Sequence, residues 1–375
     1  MDLTRACPQC AEPTVRADRF CEACGAELRR TPTALSHAPL SQATPPRAGS
    51  SPAVVCRRCG EPFPTGHDGV RDKADAEYCL GCGMRRPRDS DRIETDLGSL
   101  GGVSDRGKVH IRNEDAMAMG LRLPGGQAAV VCDGISTVRA PELAARVAAR
   151  TALRTLLHSP EVARRCAPSG QAGSGTCTCG ECLVGEAIAS AATAVEALSE
   201  RDEPYAPSCT VVCALVRDPA DAGTRPMITV GWVGDSRAYW LADPGGGEPP
   251  VKLTEDHSWA AAMAASGELD EAAAMADPRA HIIARWLGPG GEAEPPAIVS
   301  WCPSDPGVLL LCTDGLWNYL PDARQLAEVL PPLGPDARAL TIAREFTKLA
   351  LCAGGRDNIT VVAIPVHIHT DVEGD

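Results

Sequence analysis

The chain has 375 residues, of which 44% are hydrophobic and 23% are charged, a composition typical of soluble globular proteins. No stretch approaches the ~18 apolar residues that cross a bilayer, and the first residues lack the apolar segment of a signal peptide, so we expect a cytoplasmic protein without membrane contact. The formal net charge of −13 disfavours duplex DNA as the main partner, because phosphate contacts require a positive surface.

Eight cysteines before residue 83 form four C-x-x-C pairs. These are Cys7 and Cys10, Cys21 and Cys24, Cys56 and Cys59, and Cys79 and Cys82. Tetrahedral zinc takes four soft ligands, which two such pairs provide. Neighbouring pairs have the shortest loops to close, so we predict one structural Zn²⁺ in residues 1–30 and a second in residues 53–88. Disulfide pairing is the alternative, and it fits poorly in a chain without a secretion signal.

Both cysteine-rich segments resemble zinc ribbons, small modules that are defined by little beyond their cysteine pairs. We expect them to bind protein partners, and nucleic acid is the less favoured ligand. Residues 31–52 are rich in Pro, Ala and Ser, which predicts a flexible linker, and the charged residues 84–94 predict a second, shorter one.

A third cysteine cluster lies in a stretch rich in Gly and Ser. It contains Cys166, Cys177, Cys179 and Cys182. The spacing of these cysteines is irregular for a zinc site. The segment is therefore either a third zinc site or a flexible loop whose thiols bind no metal, and the sequence does not decide between these two interpretations.

From about residue 97, short β-like runs alternate with Ala-rich helical stretches, which predicts one mixed α/β domain. In chain order we predict a strand at 128–132, helices at 141–158 and 184–199, strands at 210–216, 227–233 and 308–312, helices at 323–330 and 337–351, and a final strand at 359–366.

Aspartates recur where these strands end or begin. Asp133, Asp235 and Asp314 follow apolar runs, and Asp357 precedes the last strand. If the strand ends share one edge, their carboxylates converge and repel one another unless a cation neutralises them. Oxygen ligands select hard ions such as Mg²⁺ or Mn²⁺, and such a site suits the hydrolysis of a phosphate ester by metal-activated water. Each Asp alone is more often a turn residue or a helix cap.

Six short motifs follow one another along the chain, and four of them contain these aspartates. They are SDRGKVHIRNED at 104–115, VCDG at 131–134, VGDSRAY at 233–239, LTEDHS at 253–258, LCTDGL at 311–316 and GGRDNITV at 354–361. Together they resemble the motifs of the metal-dependent protein phosphatases, the PPM family of type 2C. The resemblance covers residues 97–368 and leaves the ribbons outside it.

This resemblance implies an α+β fold, a four-layer α-β-β-α sandwich of two antiparallel sheets flanked by helices, here preceded by two small zinc-ribbon modules. It also implies a protein serine/threonine phosphatase, in which a metal-bridging hydroxide attacks the phosphorus of phosphoserine or phosphothreonine. The implied substrates are phosphoproteins, among them Ser/Thr kinases and their targets.

The resemblance further implies which residues bind two, and at most three, Mn²⁺ or Mg²⁺ ions. The implied ligands are Glu114, Asp115, Asp133, Gly134, Asp235, Asp314 and Asp357. Asp133 would bridge two ions and, with Asp314 and Asp357, form the catalytic set. The Gly134 carbonyl would bind one ion, and Asp235 would contribute to a weaker third position.

The chain departs from the family pattern near its phosphate-binding residue. Glu114 would bind a metal directly or through water, with Asp115 in support, but four residues earlier the family's phosphate-clamping Arg is replaced by His110. If this segment is a strand, His110, Arg112 and Glu114 share one face, so we expect Arg112 or protonated His110 to substitute for the clamp. Residues 135–137 also differ from the Met-Gly-Gly that is usual in bacterial members.

Two other functions stay open at this stage. One is a zinc-ribbon scaffold whose weak or inactive phosphatase-like domain binds phosphoproteins without hydrolysing them, which the replacement at His110 favours. The other is a nucleic-acid-binding ribbon protein with regulatory phosphatase activity. The matching metal carboxylates favour an active phosphatase over the scaffold, and retention of residues 1–92 on nucleic acid would support the second alternative.

Overall fold

The structure is a computed structural model that describes most of the chain after residue 87 and short segments before it. The described residues are 4–6, 13–15, 55–56, 59–62, 78–79, 81–83, 86 and 88–368, except 123–124, 159–179, 200–202, 204, 218–224, 244, 292–293 and 331–337. The linker at 31–52, the cysteines of the first predicted ribbon and Cys166, Cys177 and Cys179 lie outside the described residues.

The chain divides into two units, Met1–Pro52 and Ala53–Asp375. In the first unit, strand β1 (Thr4–Ala6) pairs antiparallel with β2 (Pro13–Val15). In the part of the chain that the structure describes, no helix combines the length and the apolar character that a membrane span needs.

The second unit contains two antiparallel sheets and their flanking helices. Its strands are β3 (Arg92–Asp96), β4 (Gly101–Asp105), β5 (Ala116–Leu121), β6 (Gly126–Cys132), β7 (Val211–Arg217), β8 (Met227–Val233), β9 (Arg237–Ala242), β10 (Val251–Lys252), β11 (Ala297–Trp301), β12 (Gly307–Cys312) and β13 (Ile359–Val366). Its α-helices are α1 (Pro141–His158), α2 (Gly180–Glu196), α3 (Trp259–Ser266), α4 (Glu271–Ala276), α5 (Asp314–Trp317), α6 (Ala323–Glu328) and α7 (Ala339–Ala353).

One sheet has six strands in the order β10-β9-β12-β13-β4-β3, and the other has five in the order β11-β8-β7-β6-β5. Side-chain alternation builds the layers between and around them. In β6, Val130 faces α1 and α2 whereas Val131 faces the other sheet. In β12, Leu310 packs with α5, α6 and α7 whereas Leu309 faces inward. The result is the α-β-β-α sandwich, which confirms the predicted fold class.

Both faces of β6, β7, β12 and β13 are buried, so these strands read as continuous apolar runs in the sequence. The predicted elements there and in α1, α2, α6 and α7 are all present, with ends displaced by a few residues. On the outer face of the five-stranded sheet, α1 buries a stripe of alanines against α2 and β6.

The sheet begins earlier than the predicted domain start at residue 97. Residues 89–91 form a 3₁₀ turn and β3 pairs with β4 along its whole length, with Arg92 opposite Asp105. Much of the segment predicted as a second linker is therefore part of the fold. The sequence pattern does not indicate this strand, because β3 lies at the edge of its sheet and carries charged residues that contact water.

Candidate active site

Strand register brings the predicted aspartates to one end of the sandwich. The last residue of β12, Cys312, lies opposite Val361 of β13 and opposite Arg237 of β9. The residues just beyond these positions, Asp314 and Asp357, are therefore neighbours. Asp133 follows β6 at the same end, where its backbone carbonyl accepts a hydrogen bond from Thr210 N at 2.8 Å.

The electrostatics show that five carboxylates share this end. Removal from water and the charges of Asp115, Asp314, Asp235 and Asp357 raise the pKa of Asp133 well above its usual value. Burial and the charges of Asp314 and Asp357 raise the pKa of Asp115 to about 8. Burial and the Asp357 charge likewise raise the pKa of Asp314 to about 7. Like charges held together in this way favour either protons or a cation.

Two carboxylate oxygens in the cluster fit a cation better than a proton donor. Asp115 Oδ2 accepts a hydrogen bond from Thr313 Oγ1 at 2.8 Å, but Asp115 Oδ1 and Asp314 Oδ1 are buried without a hydrogen-bond partner. Buried carboxylate oxygens without donors are costly. A hard divalent cation would satisfy such an oxygen, because carboxylates are its usual ligands.

Asp235 joins the cluster from β8. It is buried, and burial together with the charges of Asp314 and Asp256 raises its pKa well above the usual value. Gly134 is also buried next to Asp133, in an isolated bridge to Cys209. Of the predicted metal ligands, Glu114 is placed differently. Its two carboxylate oxygens accept hydrogen bonds from Arg112 and Ser136. Its role as a metal ligand stays a prediction.

The predicted phosphate-binding residues lie on a loop, not a strand, so the shared-face argument does not apply to them. They nevertheless reach the cluster. His110 Nε2 lies 3.1 Å from Asp357 Oδ1, and Arg112 Nε donates to Glu114 Oε1 at 2.7 Å. Glu142 Oε2 is a further 3.5 Å neighbour of Arg112. His110 therefore contacts the aspartate cluster directly, and Arg112 contacts Glu114, one residue from Asp115.

Sequence reasoning missed the residue that holds this loop in place. The Asn358 side-chain amide donates to the carbonyls of Arg106 and Arg112 at 2.8 and 3.0 Å, and its oxygen accepts from Glu114 N at 2.7 Å. Asn358 is buried. A signal was present, since an amide directly follows Asp357 in the last motif, but only the fold shows that it bonds to a loop more than 240 residues earlier.

A buried ion pair that the sequence did not predict supports Asp235. Arg237 donates to both oxygens of Asp256 at 2.8 and 2.6 Å, and its guanidinium lies 3.7 Å from the centre of the Trp317 ring. Trp317 Nε1 in turn donates to the Asp235 carbonyl at 2.9 Å. Arg237 thus packs against the ring that bonds to the Asp235 backbone carbonyl.

His257, beside this pair, packs among neighbouring side chains and backbone groups. Its Nδ1 lies 3.1 Å from Gly234 N, its Nε2 lies 3.2 Å from Arg285, and its ring stacks on Trp232. Burial and the Arg285 charge lower the pKa of His257 to about 4, so the ring is neutral near pH 7. The next residue, Ser258, caps α3.

A second group of candidate ligands consists of Cys56, Cys59, Cys79 and Cys82. Their sulfurs all lie within 4.8 Å of one another. Gly60 and Gly83, one residue after each pair, have φ of 75° and 72°, and their amides donate to the carbonyls of Cys56 and Cys79. Glycine adopts this conformation without steric cost, so each C-x-x-C pair closes into a tight turn.

Comparison with known proteins relates the chain to bacterial phosphatases, although no protein-family model matches it. The serine/threonine phosphatase stp of Listeria innocua is 36% identical over 142 residues, which are 37% of this chain and 52% of that protein. The serine/threonine protein phosphatase PstP of Mycobacterium tuberculosis is 28% identical over 266 residues, 70% of this chain and 44% of that protein. The chain therefore spans only about half the length of these relatives.

The fold agrees with this relationship. The catalytic domain of PstP, solved in complex with two manganese ions, matches with a TM-score of 0.52 and 24% identity, over 72% of this chain and 98% of that one. Both have the sandwich of two antiparallel sheets between helices. By sequence the chain is similar to bacterial serine/threonine phosphatases, and it shares the fold of the PstP catalytic domain.

Proposed function

We propose that this protein hydrolyses phosphoserine and phosphothreonine in other proteins and uses two divalent cations, Mn²⁺ or Mg²⁺, to do so. The observation that carries the proposal is the cluster of five aspartates at one end of the sandwich, with unpartnered oxygens on Asp115 and Asp314. The manganese ions in the PstP catalytic domain and the phosphatase relatives support it.

In this proposal, one set of residues binds the metal ions and another set binds the phosphoryl group of the substrate. Asp133, Asp314 and Asp357 hold the cations, with Asp115 and the Gly134 carbonyl beside them. Bound Mn²⁺ or Mg²⁺ activates water for attack on phosphorus and neutralises phosphoryl charge. A third cation position at Asp235 and a ligand role for Glu114 are part of the same proposal.

At the mouth of the site, His110 and Arg112 donate hydrogen bonds to the phosphoryl oxygens. Arg112 offers a fixed fork of donors that stays charged, whereas His110 is charged only when it is protonated. We therefore assign the larger share of phosphate binding to Arg112.

The test compares phosphate release from matched peptides that carry phosphothreonine, phosphoserine or phosphotyrosine. We expect turnover of the first two with Mn²⁺, little turnover of the third, and loss of all turnover when EDTA is in excess. Turnover that survives EDTA, or that is confined to phosphotyrosine, would contradict the proposal.

Replacement of Arg112 by Ala is expected to raise KM for a phosphothreonine peptide about tenfold, because a charge-assisted donor to the phosphoryl group is worth roughly 1.5–3 kcal/mol. The value of kcat should change less. Steady-state kinetics measure both. Arg344→Ala is the control, since Arg344 pairs with Glu94 at the edge of the sheet. An unchanged KM in Arg112→Ala would exclude the clamp role.

We also propose two structural Zn²⁺ ions, one bound by Cys56, Cys59, Cys79 and Cys82 and the other by Cys7, Cys10, Cys21 and Cys24. The convergence of the four sulfurs of the first set supports this proposal. Docking of protein partners is the role we assign to these modules.

The replacement Cys56→Ser is expected to lower the zinc content of the purified chain by one equivalent, because three thiolates hold Zn²⁺ far less tightly than four. Elemental analysis measures the loss. Cys302→Ser, at an exposed cysteine outside the cluster, is the control. Equal zinc content in Cys56→Ser and the unaltered chain would reject this site.

The proposed substrates are phosphoproteins, and Ser/Thr kinases and their targets are the class we favour. The scaffold alternative is not favoured, because the carboxylates of the cluster are all present and the named relatives are phosphatases. The cytoplasmic location stays a prediction from the sequence.

A further inference from the structure

A cavity of about 740 Å³ opens beside the candidate active site. It lies between residues 135–138, which directly follow the Asp133-Gly134 pair, and residues 281–290. The backbone ties its walls to that pair. Ile135 N donates to Ser208 O at 3.1 Å, and Cys209 exchanges hydrogen bonds with Leu287. The lining of the cavity therefore begins one residue after Gly134, although none of its lining residues belongs to the metal or phosphate set.

The lining is largely apolar, and part of it faces solvent. Ile135, Val138 and Trp286 contribute side chains, and Tyr205 and Ile282 keep 74% and 56% of their surface exposed. The one polar atom of the Trp286 ring is already used, because Nε1 donates to the carbonyl of Pro289 at 3.2 Å. The ring therefore offers the cavity apolar surface alone.

The charged residue at the rim has a partner. Glu203 lines the cavity and accepts a hydrogen bond from Arg139 at 2.7 Å, so this pair brings no net charge to the opening. The lining also includes the polar side chains of Thr137, Ser208 and His281. Because most of the lining is apolar and the Glu203 charge is paired, we favour an apolar occupant over a charged one, which would lose its hydration.

Tyr205 is held in an unfavourable backbone conformation. Its φ is 59°, a region that costs a non-glycine residue roughly 1–2 kcal/mol, and its carbonyl accepts a hydrogen bond from Arg139 N at 2.8 Å. Tyr205, which lines the cavity, is also largely exposed. Strain of this kind accumulates at binding sites more than elsewhere.

We propose that this cavity receives an apolar side chain of the phosphoprotein substrate, a few residues from the phosphorylated Ser or Thr, and so sets sequence preference. This inference rests on the proposed phosphatase function. An extended peptide advances about 3.3–3.6 Å per residue, so a side chain within about three positions of the phosphorylated residue reaches a cavity that begins at Ile135. The volume lies within the range of ligand pockets and accommodates Leu, Met, Phe or Tyr.

The first part of the test is a set of phosphothreonine peptides that carry Leu, Phe, Ala, Lys or Glu at one of the three positions on either side. With the full chain and Mn²⁺, we expect at one position a kcat/KM about tenfold higher for Leu or Phe than for Ala, and lower still for Lys and Glu. Equal kcat/KM across the set at every position would overturn the inference.

The second part uses two variants of the cavity, Tyr205→Gly and Ile282→Ser. Each is expected to reduce the preference for Leu and Phe at least threefold while leaving turnover of p-nitrophenyl phosphate, which has no flanking residues, unchanged. Glycine accepts the φ of residue 205, so Tyr205→Gly should keep or raise the melting temperature. Leu121→Ser, at an exposed apolar residue on β5, is the control.

The outcomes separate the inference from the function on which it rests. Absence of turnover of p-nitrophenyl phosphate and of every peptide by the unaltered chain would overturn the proposed function and the inference with it. Turnover with a preference that both variants retain would overturn the inference alone. It would also leave the cavity to a different occupant, such as a small apolar regulator.

Discussion

The replacement Asp133→Asn is expected to abolish Mn²⁺-dependent phosphate release, with a loss on the order of a thousandfold, while the metal-free protein becomes more stable. The charges of all four other aspartates of the cluster raise the pKa of Asp133. A neutral amide would hold a divalent cation less tightly than a carboxylate, and the metal charge would contribute several kcal/mol to catalysis. The same change removes one of several repelling charges from the metal-free fold.

Two measurements on the same samples check this prediction. Steady-state kinetics report the loss of turnover, and thermal unfolding reports a melting temperature that is a few degrees higher without metal and no longer rises when Mn²⁺ is added. Asp96→Asn, at the end of the edge strand β3, is the control. Turnover within tenfold of the unaltered chain would show that Asp133 does not hold the catalytic metal.

The replacement Asp256→Ala is expected to cause the largest loss of stability. Arg237 and Asp256 have only 5% and 8% of their side-chain surface exposed. Removal of one partner from a buried ion pair leaves an uncompensated charge and costs roughly 3–5 kcal/mol, which corresponds to a fall of about 10 °C in the melting temperature of a domain of this size. Turnover should fall as well, because Arg237 supports Asp235 through Trp317.

Two further variants test whether the expected loss of stability comes from the burial of the Arg237–Asp256 pair or simply from the loss of an ion pair. Glu345→Ala breaks the exposed pair with Lys348 and should cost less than about 1 kcal/mol. The double replacement Arg237→Met and Asp256→Leu removes both buried charges and should recover most of the lost stability. Thermal unfolding measures all three variants. A melting temperature of Asp256→Ala within 2 °C of the unaltered chain would contradict the account.

The central strands β6, β12 and β13 were predictable from the sequence because burial on both faces makes each a continuous apolar run. The aspartates at their ends were predictable for the same reason, since each stands where a recognisable run stops or starts. Strand β3 and the two-residue strand β10 were not, because an edge strand in contact with water shows no apolar pattern.

The contacts that shape the site depend on pairing between distant segments. Asn358 holds the loop of Arg112 across about 250 residues of chain, and the apolar cavity is built from three separate segments. No local pattern encodes such contacts. His110, Arg112 and Glu114 were expected to share one face only if their segment were a strand. The segment is a loop, which Asn358 holds in place, so that condition is not met, although Arg112 and Glu114 do meet.

The central claim is that the aspartate cluster binds two divalent cations and that these cations are required for phosphoester hydrolysis. The most direct test is phosphate release from a phosphothreonine peptide by the Mn²⁺-free full chain as Mn²⁺ is added in measured equivalents. We predict no release at the start and a rise that reaches its plateau only after the second bound equivalent. Full release before any Mn²⁺ is added, or none after two equivalents have bound, would contradict the account.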